Sequence, residues 1–295
     1  MSLSISVVIP SYNQGRFIGR TLESVFAQNV PDMDVAVMDG GSTDETVEIL
    51  KSYGDRLRFV SEKDEGQADA VNKGVAATDG DVIAWINSDD VHYPGAYAAV
   101  IEYFERHPDV DVLYGLADHI GVDDEVIEEY PAEAFSFERL KDVCFICQPA
   151  AFFRRRAVKR FGALDASLQY SLDYEFWLRL AKGGARFAFM RRKLAGSRFY
   201  ADTKTLGARL KVHADICAMM QKTFGRTPDR WIFNYAHVVV AEKWGLAPGA
   251  FFFTPAVCLA SWMASMRFNG NIPGSVWRRT FSWLTRGLVR EEKRR

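Results

Sequence analysis

The first 115 residues predict an open α/β domain, a mainly parallel sheet flanked by helices, and the end of the chain predicts an all-helical extension. Three observations lead to this. Short β-branched runs alternate with stretches whose apolar residues recur at helical spacing, the pattern of successive βαβ units. Polar residues gather where the apolar runs end, the edge at which open α/β sheets hold ligands. The composition, 48% hydrophobic and 25% charged, is that of a chain that buries a core, which excludes disordered, collagen-like and disulfide-scaffold classes.

In chain order, the runs at 5–10, 34–39, 57–61, 81–86 and 111–114 predict strands. Between them, 17–28, 44–53, 67–76 and 95–106 space their apolar residues as helices do, with Ser42 and Asp44 placed to cap the second. From 116 to 202 the alternation loosens into a hairpin around 121–125, a strand at 148–153, a basic helix at 154–161 and an amphipathic helix at 172–182. After Thr203 four helical segments follow, near 204–224, 229–245, 250–266 and 275–290, separated by Gly, Pro and Asn. The expected organisation is therefore a domain over 1–202, with parts 1–115 and 116–202, and a helical region over 203–295.

The net charge of -1 conceals a polarised chain, with -19 over residues 1–150 and +18 over 151–295. Nucleic acid is not the expected partner of the basic half, because no zinc spacing, RNP-like aromatic strand or recognition-helix pattern accompanies it. Phosphates on a small donor, a lipid or a membrane surface account for it better. The four cysteines are too few and scattered for a disulfide framework, and Cys144 and Cys147 read as packed thiols. No signal-like segment opens the chain, so a cytoplasmic location is expected.

Residues 246–266 carry no charge but are interrupted by Pro248, Gly249 and Pro255, and the tail 267–295 holds eight basic and two acidic residues. Within that tail Trp277, Phe281, Leu284 and Leu288 share a helical face, with Arg279, Arg286 and Arg290 largely on another. Spanning would carry the basic tail away from the cytoplasmic side. A helix lying at the inner face of the cytoplasmic membrane is the expectation.

The strand ends supply the chemistry: Ser11-Tyr12-Asn13, Asp39, Glu62 with Asp64, and Asn87 through Asp90. Adjacent carboxylates, Asp89 and Asp90, stand just past a buried run, where Mg2+ or Mn2+ bridges protein oxygens to a bound diphosphate. Gly40-Gly41 makes a turn and no phosphate loop, since neither GxGxxG nor a Walker pattern is present, and the five histidines lack paired metal spacing.

The ordered set SVVIPSYNQGRFI, DGGSTDET, KDEGQADAVNKG, GDVIAWINSDD, QPAAFFRRRAVKRFGALD and LDYEFWLRLA resembles the family-2 glycosyltransferases, whose nucleotide-sugar-binding α/β fold is called GT-A. The similarity runs over residues 4–205. It implies an inverting transferase that moves a sugar from a nucleotide-sugar donor, UDP-linked by family habit, to a glycan or lipid-linked acceptor. The first part of the domain then serves the nucleotide and the second the acceptor.

By position, the resemblance implies that Pro10, Tyr12, Asp39, Asp64, Asn72, Lys73 and Ser88 hold the nucleotide, with Asp39 bonding the base. Asp89 and Asp90 match the metal-binding carboxylates of the DxD motif, and Asp173 the general base. Gln148, Tyr174, Trp177 and Arg179 are expected on the acceptor side. Two departures stand out: Asn87 occupies the first DxD position, and Tyr200 stands where the family often has a metal-completing His. Arg198, Tyr200 and Lys204 are expected in a segment that closes over the diphosphate. One base and one metal suffice for a single inverting displacement, whereas a glycosidase needs an acid and a base flanking the bond. The rival reading is a catalytically silent sugar- or nucleotide-binding subunit of the same fold, against which stands the presence of Asp89, Asp90 and Asp173 together.

Overall fold

A computed structural model describes residues 3–200 and 207–292, with side chains through Thr285. The chain divides into two compact units, Met1–Tyr200 and Ala201–Arg295. Lys204 lies outside the described residues.

The first unit is built on one mixed sheet. Its parallel part comprises β1 (Ile5–Ser11), β2 (Met33–Asp39), β3 (Arg58–Ser61) and β4 (Val82–Trp85), in the order β3-β2-β1-β4. The crossovers are α1 (Gly15–Phe26), α2 (Thr46–Ser52) and α3 (Gln67–Ala76). Their apolar stripes explain the arrangement: Phe17, Ile18, Leu22 and Val25 of α1 are buried and join Val7, Ile9, Val35, Val37, Val82 and Ala84 in one core. The same core takes Tyr97, Val100 and Phe104 from α4 (Ala96–Arg106). On the other sheet face α3 approaches closely because Gly74 lacks a side chain; a Cβ there would lie 2.4 Å from Cγ1 of Val8.

Beyond β4 the sheet continues with β8 (Ala151–Arg154), β6 (Val112–Ile120), β9 (Phe187–Arg198) and the short β5 (Val91–His92), and β7 (Val126–Glu129) pairs with β6. The β4–β8, β8–β6 and β5–β9 pairs are antiparallel and β6–β9 is parallel. The helices here are α5 (Phe137–Asp142), α6 (Arg155–Phe161) and α7 (Leu172–Lys182). The 12-residue β9 is not visible in the hydrophobic pattern. Gly115 pairs with Met190 but Leu116 pairs with Lys193, so Arg191 and Arg192 are extra residues that break the two-residue period.

The basic run before α6 staples the sheet to its neighbours. Arg154 is buried and donates to the carbonyls of Val110 (3.0 Å) and Phe104 (2.6 Å). Arg155 donates to the carbonyls of Gly80 (2.7 Å) and Val75 (2.6 Å) and to the Ser6 hydroxyl (3.1 Å). Arg156 pairs with Asp111. These three charges serve the first unit's own backbone and carboxylates.

The second unit is helical: α8 (Arg209–Phe224), α9 (Asp229–Val238) running into a π-helical turn (Val239–Lys243), α10 (Phe253–Asn269) and α11 (Gly274–Glu292). Its core gathers Ala236, Val240, Val257 and Ala260 against Phe253 and Trp283. Pro255 falls in the first turn of α10, where its missing N–H costs nothing, and Gly270 ends that helix in the left-handed region at φ 70°. Among the described residues no helix is long and apolar enough to cross a membrane.

Gly80 tests the packing. Its N–H donates to the Ser6 hydroxyl at 2.8 Å, and a Cβ there would sit 2.6 Å from the Ser6 nitrogen and 2.7 Å from the Ile5 carbonyl carbon, both backbone atoms. Gly80→Ala is expected to cost ~1–3 kcal/mol, read as a fall in Tm of roughly 2–4 °C per kcal/mol. Gly19→Ala, inside α1 with nothing within 4 Å of the added methyl, is expected to raise Tm instead.

Candidate active site

The registers bring Ser11, Asp39 and Ser61 side by side at the carboxyl edge of β1, β2 and β3. Asp39 is buried, and its Oδ2 accepts from the N–H groups of Gly41 (3.2 Å) and Ser42 (2.9 Å) and from the Ser61 hydroxyl (2.6 Å). Among the described residues its Oδ1 accepts from the Ser42 hydroxyl alone, at 2.5 Å, which leaves one lone-pair site on that oxygen. Asn13, at φ 51°, links the neighbouring loop: its N–H donates to Ser42 Oγ (2.7 Å) and its side-chain carbonyl accepts from the Thr43 N–H (2.9 Å). Pro10 is buried beneath this edge and Tyr12 stands 61% exposed at its lip.

Asp64 reaches the same edge because residue 40 is glycine; a Cβ on Gly40 would lie 3.0 Å from Asp64 Oδ2. Its other oxygen accepts from the Gly66 N–H at 2.9 Å. Two of the residues expected at the nucleotide have protein partners. The Asn72 amide is spent on a two-point clasp with the backbone of Leu164, at 2.9 Å in both directions, so it orders that segment. Lys73 is an exposed cation paired with Asp69 (3.0 Å) and Glu62 (3.6 Å), and the Asp69 bond raises its pKa.

The turn after β4 is held from several sides. Thr21, buried in α1, donates its hydroxyl to the carbonyls of Ser88 (2.9 Å) and Asp90 (2.7 Å). Ser88 is itself buried. Asn87 accepts from Gln67 Nε2 (2.6 Å) and donates to Asp90 Oδ2 (3.2 Å). The buried Asp90 carboxyl also accepts the Arg198 N–H at 2.8 Å, and burial, then the charge of Asp89, pushes its pKa well above the usual carboxylate range. Asp89 is half-buried and accepts from the Tyr200 hydroxyl at 3.0 Å. That phenol is pushed up to about 12 by burial and by Asp89.

Arg198 is held by protein partners. It is 4% exposed; Nε donates to the Asp89 carbonyl (2.6 Å), Nη1 to the Gly121 carbonyl (2.5 Å), and Nη2 pairs with Asp124. Its guanidinium lies over the Phe17 ring, which in turn meets the Tyr200 ring at 5.1 Å. The roles of Thr21 and Asp124 are absent from the sequence reading. Thr21 had a signal: it is the polar position inside the apolar stripe of α1.

Asp173 opens α7, following Ser171 at φ 55°, and is half-buried. Burial raises its pKa, partly offset by the backbone N–H groups of Tyr174 and of Asp173 itself. The buried thiol of Cys147 feels the charges of both Asp90 and Asp173. Cys144 and Cys147 are free thiols whose pKa values burial pushes up. Beside them Gln148 is 9% exposed, donates to the Trp85 carbonyl at 2.7 Å, and has an Oε1 with no partner.

The other residues expected on the acceptor side pack within the protein. Tyr174 is buried with its hydroxyl on the Leu140 carbonyl, and Trp177 is fully buried against Phe153 and Phe176. Arg179 pairs with Glu175 and donates to the carbonyls of Phe161, Gly162 and Ala163, closing the end of α6. Leu172, Tyr174 to Leu178 and Leu180 of α7 are buried, so these side chains hold the helix that carries Asp173.

A TarS fragment of S. aureus, residues 1–349, solved in complex with UDP-GlcNAc, superposes with a TM-score of 0.63 at 16% identity, covering 93% of this chain and 83% of that one. The mannosyltransferase PcManGT of Pyrobaculum calidifontis, solved with GDP-Man and Mn2+, gives 0.59 at 16% identity, covering 96% and 81%. Chondroitin synthase of Escherichia coli is 30% identical over 184 residues, 61% of this chain and 27% of that protein, so this chain spans about a quarter of that relative. The family model described as glycosyl transferase family 2 matches residues 6–162, more than half of the chain and all of the strand ends that carry Ser11, Asp39, Ser61 and Asp89. The chain belongs to that family: it is a glycosyltransferase with a GT-A fold.

Proposed function

We propose that this glycosyltransferase transfers a sugar from a nucleotide-sugar donor, with UDP-sugars favoured, to a hydroxyl of a glycan or lipid-linked saccharide by a metal-dependent inverting displacement. The reading also places the reaction at the cytoplasmic face of a membrane. The observation that carries it is the row of carboxylates at the carboxyl edge of the parallel strands, Asp39 closing β2 beside Ser11 of β1 and Asp89-Asp90 in the turn after β4.

The residues present fit a divalent cation of the Mg2+ or Mn2+ type. Two hard carboxylates stand adjacent, one of them buried beside the charge of the other, a concentration of negative charge that a cation relieves. Among the described residues no three acidic, His or Cys side chains converge, as suits an ion whose remaining ligands are donor phosphates and water. When bound, such an ion takes up the charge that develops on the leaving diphosphate.

The chain's own residues do the rest. Asp39 Oδ1 and the Asp64 carboxylate orient the nucleoside at the edge lined by Pro10 and Tyr12. Asp173 accepts the acceptor's hydroxyl proton as that oxygen bonds the anomeric carbon and the carbon's bond to the diphosphate oxygen breaks. A base desolvated in this way holds a proton more readily than an exposed carboxylate, which is what proton abstraction near neutral pH asks of it. Gln148 Oε1 offers a hydrogen-bond acceptor beside this point. Turnover of a panel of nucleotide sugars, read as nucleoside diphosphate released with and without acceptor, tests the reading; no donor turned over by folded, metal-supplied protein would defeat it.

Asp89→Ala is expected to abolish metal-dependent donor binding and slow transfer by roughly a thousandfold or more, with circular dichroism and Tm little changed. Full turnover by the demetallated wild-type chain in excess chelator would defeat the metal reading.

Asp173→Asn is expected to leave donor binding intact and slow transfer ~100- to 10,000-fold. Because burial raises the Asp173 pKa, the wild-type rate should fall on acidification at a pH above the ordinary aspartate value, and the variant should lose that limb. Stability changes in the opposite sense. A carboxyl with a raised folded-state pKa burdens the fold once ionised, so the variant should melt higher at neutral pH, with the gain vanishing below the unfolded pKa of about 3.9. Near-normal kcat in the variant would leave Asp173 as a helix-terminal residue only.

A further inference from the structure

Helix α10 is built inside out. Its buried positions are the small residues Val257, Cys258, Ala260, Ser261, Ala264 and Ser265. Its large apolar side chains point to the surface: Leu259 is 49%, Met263 57% and Met266 52% exposed, and their spacing of four and three residues puts them on one stripe. Both buried serines are satisfied internally, Ser261 on the Val257 carbonyl (2.7 Å) and Ser265 on the Asn271 carbonyl (2.8 Å), so the inner face needs no water. Helices of water-soluble domains carry the reverse pattern. Small residues between helices and large apolar ones outside are the arrangement used where the surrounding medium is itself apolar.

The stripe does not stand alone. Phe251 and Phe252, exposed in the turn before α10, extend it at one end. In α11, Val276 and Thr280 are buried while Trp277 and Phe281, one turn apart, are exposed. The Trp262 and Trp277 rings meet at 4.6 Å, joining the two helices' outer faces into one apolar surface. Charge borders it with a single sign: residues 244–290 contain no Asp or Glu, and Arg267, Arg278 and Arg279 are exposed.

We propose that this face of α10 and α11 is a lipid-docking surface that lies in the plane of an anionic bilayer. The 17 residues of α10 span about 26 Å, short of the ~30 Å hydrocarbon thickness, so the helix rests in the interface instead of crossing it. Trp277 and Phe281 sit at headgroup depth as amphipathic anchors, with the arginines against lipid phosphates. A second copy of the chain is a poorer occupant. A two-fold contact through this face brings Arg267, Arg278 and Arg279 toward their own counterparts with no acidic residue to receive them. The purpose of the surface, bringing the catalyst to a lipid-linked acceptor, rests on the function proposed above; its existence is tested by binding alone.

The test is co-sedimentation of the full chain with vesicles of equimolar phosphatidylcholine and phosphatidylglycerol, and with phosphatidylcholine alone. The intact chain is expected to pellet with the anionic vesicles, less with neutral ones and less at high salt. The triple variant Leu259→Ser, Met263→Ser, Phe281→Ser should lose about a hundredfold or more in affinity. Arg278→Gln with Arg279→Gln should lose roughly thirtyfold, and only on the anionic vesicles. All five positions are exposed, so circular dichroism should be unchanged, and so should nucleoside diphosphate release with a water-soluble acceptor. An intact chain that stays in the supernatant with both vesicles overturns the proposal, as does a serine variant that pellets like the wild type. A concentration-dependent dimer that the serine variant abolishes, with no vesicle binding, also overturns it and assigns the face to contacts between copies. If no chain shows transferase activity while vesicle binding follows these expectations, it is the catalytic reading that fails.

Discussion

Burying the carboxyl of Asp90 directly beside that of Asp89 is the constraint on which the catalytic unit is organised. An isolated buried carboxylate costs several kcal/mol or more unless donors or opposite charge compensate it. Here the carboxyl is compensated by the Asn87 amide within the turn and the Arg198 N–H at the end of β9, while Thr21 on α1 holds the turn through the backbone carbonyls of Ser88 and Asp90. Arg198 is a buried charge in its own right, and its own compensation, through Gly121 and Asp124, fixes the β6–β7 hairpin. Asp124 then takes the second arginine, Arg20, from the surface of α1. A closed circuit of hydrogen bonds thus runs from α1 through the turn to β9 and back, and each member is satisfied only while the others are in place.

That circuit explains why part of the site was legible in the sequence and part was not. Local periodicity exposed β1 to β4 and the helices between them, because β1, β4 and most of β2 are buried on both faces and each helix on one. The carboxylates Asp39, Asp64, Asp89 and Asp90 could be read because they follow directly upon those strands. Arg198 could not. Its partners lie 74 to 109 residues away, and β9, which delivers it, carries an Arg191-Arg192 bulge that erases the alternation by which strands are recognised. A basic residue near a proposed diphosphate suggests a ligand contact; burial and four protein partners give it a different task. Tyr174, Trp177 and Arg179 show a similar limit: an acidic-aromatic segment suggests a surface that stacks on sugar, while this 11-residue helix places its aromatic residues in the core.

The opposite charges of the two halves also separate by task. The acidic excess of residues 1–150 includes the carboxylates that gather at the strand ends. The basic excess of the later half is divided. Arg154, Arg155 and Arg156 are consumed inside the first unit, while Arg267, Arg278 and Arg279 remain at the surface beside exposed apolar side chains. Net charge alone does not distinguish these uses, since a guanidinium that caps carbonyls and one that faces solvent count equally in composition.

The surroundings of Asp39 and Asp173 differ in the way their proposed roles require. Asp39 takes hydrogen bonds from three donors on Oδ2 and one on Oδ1, so its position is over-determined and only one lone-pair site is left to offer. Such a group orients a ligand without rearranging, which is the condition for tight and selective binding. Asp173 is desolvated by burial, partly offset by two backbone N–H groups at the start of α7. Removing those N–H groups would leave the carboxyl protonated and unable to act as a base, and adding side-chain donors would make the carboxylate too weak a base to help. Placing the carboxylate at a helix N-terminus within an otherwise dry pocket sits between these limits, because the helix dipole stabilises the ion without supplying the bonds that would hold it inert.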